Sequence, residues 1–409
     1  MATQSLTRQT LTIVTGAAVM MALSMGMRQS LGLFLPPVTQ DLALQAADFT
    51  FAVAVQNVAW GLSQAPIGVI ADRYGIRRAM VFGTLVYLAG LVVMTAAQGA
   101  LALAISGGLI GIALSCTASS LCMTACARAV PEERRSTMLG VVAATSSVGT
   151  LVIAPSLQAL LSSHDWHVGM IFFLILAVAM IPAAFSAGGA DLLPKTNRAH
   201  VTMREVLGGA ARNRGFVVMS VAYFVCGLQL IFLTTHLPNY LAFCRMDPML
   251  SAQALATIGG VNILGSWLAG WLGGRYPKHI LLGLLYVFRS ITLTAYFILP
   301  PTPTTTLVFA VMMGMLWLGV IPLVSGLVAE MFGTRYMATL LGIAFIMHQF
   351  GSFLGAWGGG LIYDALGSYD RAWQIGVAIG ITAGIVQIIA GGPPRNRGRT
   401  GQLALGSAG

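Results

Sequence analysis

Of the 409 residues, 57% are hydrophobic and only 8% charged, against roughly 25% charged in an ordinary soluble domain. Together with a mean hydropathy of +0.82, this excludes a soluble globular fold. The formal net charge of +10 does not point to nucleic acid, because Arg and Lys sit between apolar stretches instead of lining one soluble face.

In chain order, stretches long enough to cross a hydrocarbon core of ~30 Å at ~1.5 Å per residue predict helices at 11–36, 48–70, 79–98, 101–126, 137–161 and 167–187. A second set follows at 216–241, 251–273, 280–299, 306–329, 337–362 and 372–391, giving twelve spans. The first span stands behind a lone Arg8, lacks an A-x-A-like cleavage site and reads as retained. The longest polar connection, 186–215, reads as a linker with a short amphipathic helix around 203–212. The expected domains are a six-helix bundle over 1–187, a cytoplasmic linker over 188–215, a second bundle over 216–391 and a cytoplasmic tail over 392–409.

With both termini in the cytoplasm, 18 of the 22 Lys and Arg residues fall on that side, Arg245 and Arg371 fall outside, and Arg28 and Arg289 lie within spans. This asymmetry predicts a multi-pass protein of the plasma membrane, the inner membrane in a bacterium, with lipid as its surroundings and a monomer as its state. The five cysteines, Cys116, Cys122, Cys126, Cys226 and Cys244, show no CxxC or other ligand spacing and read as packing residues. His164 and His167 lie in an outer loop with no second ligand set, so neither a metal nor any other cofactor is expected.

A single offset of 202 residues, without a gap, superimposes unusual features at three places. Leu35-Pro36 falls on Leu237-Pro238. Gly68, Arg73 and Tyr74 fall on Gly270, Arg275 and Tyr276, and Thr137, Leu139, Gly140 and Gly149 fall on Thr339, Leu341, Gly342 and Gly351. Six spans per half is an even number, so the halves share one orientation and are related by a pseudo-two-fold along the membrane normal. The predicted fold is all-α, two six-helix bundles with a site between them.

After the second span comes Gly68-Val-Ile-Ala-Asp72-Arg73-Tyr-Gly75-Ile-Arg77-Arg78, which resembles the loop signature G-x-x-x-D-R-x-G-R-R/K of the major facilitator superfamily. The resemblance implies a gating loop in which Gly68 permits close helix approach, Gly75 a tight turn, and Asp72 an ion pair or a helix cap. The bland alternative is an ordinary basic turn. The second copy keeps Arg275 but has Gly274 where the acid would stand, so a charge latch is expected only in the first half. Through Arg28-Gln-Ser-Leu-Gly-Leu-Phe-Leu and Arg134-Arg135-Ser-Thr-Met-Leu-Gly140 the chain further resembles monocarboxylate porters and oxalate/formate antiporters. That group carries a carboxylate-binding arginine in a pattern like N-x-x-G-R-x-x-x-G; here the pattern reads Asn262-Ile-Leu-Gly265-Ser266-Trp-Leu-Ala-Gly270, with serine at the arginine position.

Another cation must then serve an anionic substrate. Arg28 stands ~25 Å along the first span from Leu11 and ~12 Å from Pro36, where it either binds or gates, or snorkels to the interface. Arg289 is ~16 Å from Lys278, near the midplane, and reads as a buried structural charge bonding neighbouring helices before a substrate contact. His348, midway through the eleventh span, either binds an anion or carries a proton, or is a neutral imidazole held by one hydroxyl. Asn57, Trp60, Gly61, Gln64 and Gly68 share one face of the second helix, as a cavity wall or as packing through glycine, and Gln229 and Asn262 extend that ambiguity into the second half. The Gly351 to Gly360 run lacks the Lys-Ser/Thr ending of a phosphate loop and reads as close helix packing.

All twelve acidic residues fall at span ends or in loops, so no mid-membrane carboxylate is available to a cationic substrate. The expected function is transport of a small organic anion, a carboxylate, by alternating access. Protons or an exchanged anion are possible co-substrates, and an enzyme is not expected. The alternatives are export of a neutral or amphipathic compound, and a non-transporting ligand sensor on the same fold.

Overall fold

The computed structural model describes residues 7–193, 203–332 and 337–393. Among them every regular element is helical. Twelve long helices run through the molecule: α1 (Arg8–Asp41), α2 (Ala46–Tyr74), α3 (Ile76–Thr95), α4 (Ala100–Ala129), α5 (Glu132–Ser163) and α6 (Trp166–Leu192), then α7 (Arg214–Phe243), α8 (Pro248–Gly273), α9 (Lys278–Ile298), α10 (Pro303–Phe332), α11 (Leu340–Leu366) and α12 (Asp370–Ala390). A short linker helix, Met203–Arg212, joins the two sets.

Eleven of the twelve are long and apolar enough to cross a membrane by length and composition. The exception is α2, whose Gln56, Asn57 and Gln64 dilute an otherwise apolar sequence. It also runs past the predicted end at 70 to Tyr74, because only Gly75, at φ +101°, turns the chain into α3.

Several spans are interrupted. In α1 a 3-10 turn over Leu31–Phe34 precedes Pro36 and Pro37, which cannot donate to the preceding turn. In α4 Ala118 is extended, and α10 breaks between Leu316 and Val320. A π turn over Leu354–Gly358 widens α11.

Two large apolar cores form, one almost wholly from residues 13–190 and one from residues 210–377, with a small third around Phe232, Tyr369 and Ala372. The halves are related in atomic detail. A Cβ at Gly149 would stand 2.0 Å from the Ala22 carbonyl oxygen, and a Cβ at Gly351 would stand 1.9 Å from that of Phe224. Both partners are displaced by the same 202 residues, so α5 packs on α1 as α11 packs on α7.

The halves meet tightly at one end and separate at the other. At the closed end a Cβ at Gly32 would stand 2.0 Å from the Thr234 carbonyl oxygen, and one at Gly360 would stand 2.3 Å from Thr50 Oγ1. At the end carrying Arg73, Arg77 and Arg78, a Cβ at Gly68, Gly140 or Gly342 would meet nothing within 4 Å among the described residues, and one at Gly270 would meet only Pro322 among them, at 3.8 Å. We call these the closed end and the Arg-rich end.

Candidate functional site

Arg28 lies on α1 three residues before the 3-10 turn and is half-buried. Its Nη2 donates to Asn57 Oδ1 at 2.7 Å, while Asn57 Nδ2 donates to the Val53 carbonyl of its own helix at 2.7 Å, which fixes the amide with its oxygen toward the arginine. The guanidinium carbon sits 4.8 Å from the centroid of the Trp60 ring, within cation–π range. Arg28 Nε is buried and has no hydrogen-bond partner. Among the described residues no carboxylate pairs with Arg28; the ion pairs join Arg128 to Asp191, His167 to Asp165 and Lys278 to Glu330.

Across the interface, the Trp60 ring meets Phe345 of α11 edge-on at 5.0 Å, Phe345 stacks on His348 at 5.5 Å, and His348 lies 4.8 Å from the Tyr223 ring of α7. His348 Nδ1 is 3.1 Å from Gln349 Oε1 and 3.5 Å from Ser352 Oγ. A line of aromatic and cationic groups therefore runs from α1 of one half to α7 of the other. Toward the closed end it is roofed by a cavity of only about 10 Å³, room for about one water, between Arg28, Gly32, Gln56, Asn57, Ile231 and Thr234. Approach from outside is left to the Arg-rich end, where Gln64 is partly exposed and Gly68 faces open space.

The other predicted residues lie apart from this line. Gln229 turns away from the interface, donating to Ser290 Oγ at 2.9 Å and the Gly376 carbonyl at 3.1 Å, between α7, α9 and α12. Asn262 donates to Ser147 Oγ of α5 at 2.9 Å, and its Oδ1 accepts from the Leu318 N–H at 2.9 Å and from Ser266 Oγ at 3.1 Å. It thus ties the other half to the break in α10. Arg289, fully buried, spans the same break by donating from Nη2 to the Leu316 and Trp317 carbonyls at 2.5 and 2.8 Å.

In the basic loop, Gly75 leaves no space for a side chain, since a Cβ there would stand 2.7 Å from Asp191 Oδ2. Asp191 accepts from the Ile76 and Arg77 N–H groups at 2.8 and 2.9 Å and so caps α3 from the end of α6. Arg77 lies 5.9 Å from the Phe185 ring, Arg73 lies 5.3 Å from the Tyr74 ring, and Arg78 is exposed. The Asp72 side chain and those of 132–137 lie outside the described residues.

Sequence reasoning passed over Gln56 and Gln349, both buried and each with its Nε2 unpartnered, and it passed over Asp364. Gln56 stands four residues before Trp60, one step from the stripe already noted, and Gln349 adjoins His348. Asp364, at the end of α11, accepts from the Ala46 and Ala47 N–H groups at 3.1 and 2.7 Å and so caps α2 of the other half. Nothing in the sequence signals that pairing, because the partner is backbone. His236 is held within its own half, with Nε2 2.7 Å from the Ala356 carbonyl and Nδ1 3.2 Å from Tyr369 Oη. Among the described residues no group of three His, Cys, Asp or Glu is placed to hold a metal.

The sequence model of the Major Facilitator Superfamily matches residues 17–356. The MFS-type transporter YcxA of Bacillus subtilis is 23% identical over 355 residues, covering 84% of this chain and 85% of its own. Monocarboxylate transporter 13 of Rattus norvegicus is 24% identical over 376 residues, covering 89% and 84%. In structure, the nucleoside transporter NupG superimposes with a TM-score of 0.73 at 14% identity, covering 93% of this chain and 99% of that one.

Proposed function

This chain belongs to the major facilitator superfamily, and from that premise we propose that it is a secondary active or facilitative transporter of a small organic anion, a carboxylate foremost. The observation that carries the reading is Arg28. It is a cation at the interface of the halves whose described partners are a neutral amide and an indole, and an anion completes its charge and its donors. A distant relative named for monocarboxylates points to the same class. The Arg-rich end faces the cytoplasm by its excess of Lys and Arg, which makes the conformation inward-open in the plasma membrane. His348, beside the same interface, is the group for proton coupling; anion exchange needs no such group.

The test is thermal unfolding of purified wild type and Arg28→Ala with mono- and dicarboxylates, neutral analogues and lipophilic cations. A ligand at about 100 times its Kd adds ~2.7 kcal/mol to the native state. Stabilisation by carboxylates in wild type alone supports the reading. The edge-on Trp60 and Phe345 rings favour a second reading, transport of a neutral or amphipathic aromatic compound. Under it both proteins respond equally, and only to such compounds.

A further inference from the structure

Thirteen buried side-chain nitrogens and oxygens have no hydrogen-bond partner among the described residues; nine are N–H donors, Arg77 Nε, Arg289 Nε and Nη1 and Trp373 Nε1 among them. Gln387 lacks partners for both its amide atoms and Gln229 for its oxygen, as isolated buried amides do. Along α1, α2 and α11, where the halves meet, the four unpartnered atoms are Arg28 Nε, Gln56 Nε2, Trp60 Nε1 and Gln349 Nε2. Each is an N–H donor, and none is an acceptor. Gln56, Trp60 and Gln349 are 1%, 4% and 2% exposed, so bulk water does not satisfy them.

These four lie on the helices through which the halves meet. Gln56 lines the same small cavity as Arg28. Trp60 lies under the Arg28 guanidinium. Gln349 reaches from the other half with its Cβ and Cγ 3.0 Å from where a Cβ of Gly61 would stand, beside Trp60. Gln349 Oε1 is already engaged by Ser352 Oγ at 3.2 Å and faces His348 Nδ1 at 3.1 Å, which leaves its amide nitrogen as the free end.

We propose that Gln56, Trp60 and Gln349 complete the Arg28 site as donors and make it selective for an acceptor-only head group, a carboxylate, over the corresponding amide and over its α-ammonium analogue. The proposal rests on the anion reading of Arg28. An ionised carboxylate accepts at about four lone-pair positions and donates at none. An amide brings N–H groups that meet other donors. An α-ammonium group meets a cation with no acid to balance it, since Asp48 is engaged on the Gln45 N–H and Asp364 on Ala46 and Ala47. Because Gln349 belongs to one half and Gln56 and Trp60 to the other, the head group that satisfies all four holds the halves together.

The experiment measures binding of propionate, propionamide and alanine to the purified full chain, by calorimetry and by melting relative to each variant's own unliganded midpoint. The variants are Gln56→Met and Gln349→Met, which keep side-chain length and remove the amide, Trp60→Phe, which keeps a ring and removes Nε1, and Arg28→Ala. Wild type is expected to bind propionate alone, and each donor-removing variant to bind it about tenfold more weakly. Trp60→Phe carries the test if a Met variant does not purify. Unchanged propionate affinity in the donor-removing variants, with Arg28→Ala inactive, overturns the donor set and leaves the Arg28 reading standing. Equal binding of propionamide or alanine by wild type also overturns the donor set. Full propionate binding by Arg28→Ala, or none by wild type, overturns the anion reading itself.

Discussion

Each half of the molecule holds one arginine inside an apolar span, and the two could hardly be situated more differently. Arg289 is fully buried and bonds two carbonyls freed where α10 breaks. Arg28 is half-buried and bonds one neutral amide; both arginines keep Nε without a hydrogen-bond partner among the described residues, and Arg289 keeps Nη1 so as well. The cost of placing the charge is similar in kind, but in one case broken backbone receives it and in the other the space between the halves does. The same residue type therefore meets opened backbone in one half and the space between the halves in the other. Each arginine also has an asparagine nearby: Asn57 bonds Arg28 within the first half, while Asn262 bonds both the α10 break and Ser147 of the other half.

Substitutions sharpen or break this contrast. The largest effect is expected for Arg289→Met, which leaves the Leu316 and Trp317 carbonyls unbonded at ~1–3 kcal/mol each; folded yield and the unfolding midpoint should both collapse. A midpoint close to wild type would mean that α10 does not depend on Arg289. Next, Arg28→Ala should change unfolding by no more than about 1 kcal/mol yet weaken carboxylate binding about 10–100-fold in a titration. Equal losses of stability in the two arginine variants would dissolve the comparison. Asn262→Leu should lower stability by ~1–3 kcal/mol, whereas Asn57→Leu should mainly lower affinity, by a few-fold, when melting and titration are run side by side. The smallest effect is expected for Asp364→Ala, where loss of the cap at ~1 kcal/mol should shift the halves toward opening at the closed end. A cysteine placed at Val53, which lines the small cavity there, would then alkylate several-fold faster.

The architecture was legible because it is written in long-range regularities. Hydropathy gave twelve spans, and a fixed offset between Gly149 and Gly351 anticipated two copies of one helix packing. The linker helix falls at Met203–Arg212, where its amphipathic pattern placed it. The site was legible only by face: spacing put Asn57 and Trp60 on one side of α2, and both reach Arg28. It did not reveal that Gln229 points between α9 and α12, because a helical period ranks residues by direction without naming the neighbour met in that direction. The breaks in α10 and α11 were missed for a related reason. Gly319 and Pro322, which has no N–H for the Leu318 carbonyl, do mark the α10 break, but the side chains that stabilise it come from other helices; the π turn in α11 has no proline at all.

The Asp364 contact between the halves joins unlike groups. One partner is a carboxylate; the other is two peptide N–H groups that any residue except proline supplies at positions 46 and 47. Those positions are free to drift among relatives without disturbing the closure, so correlated substitution, which reveals paired side chains, carries no trace of this pairing. A search for the contact by covariation would pass over it, and a scan by alanine would register Asp364 while finding Ala46 and Ala47 already alanine.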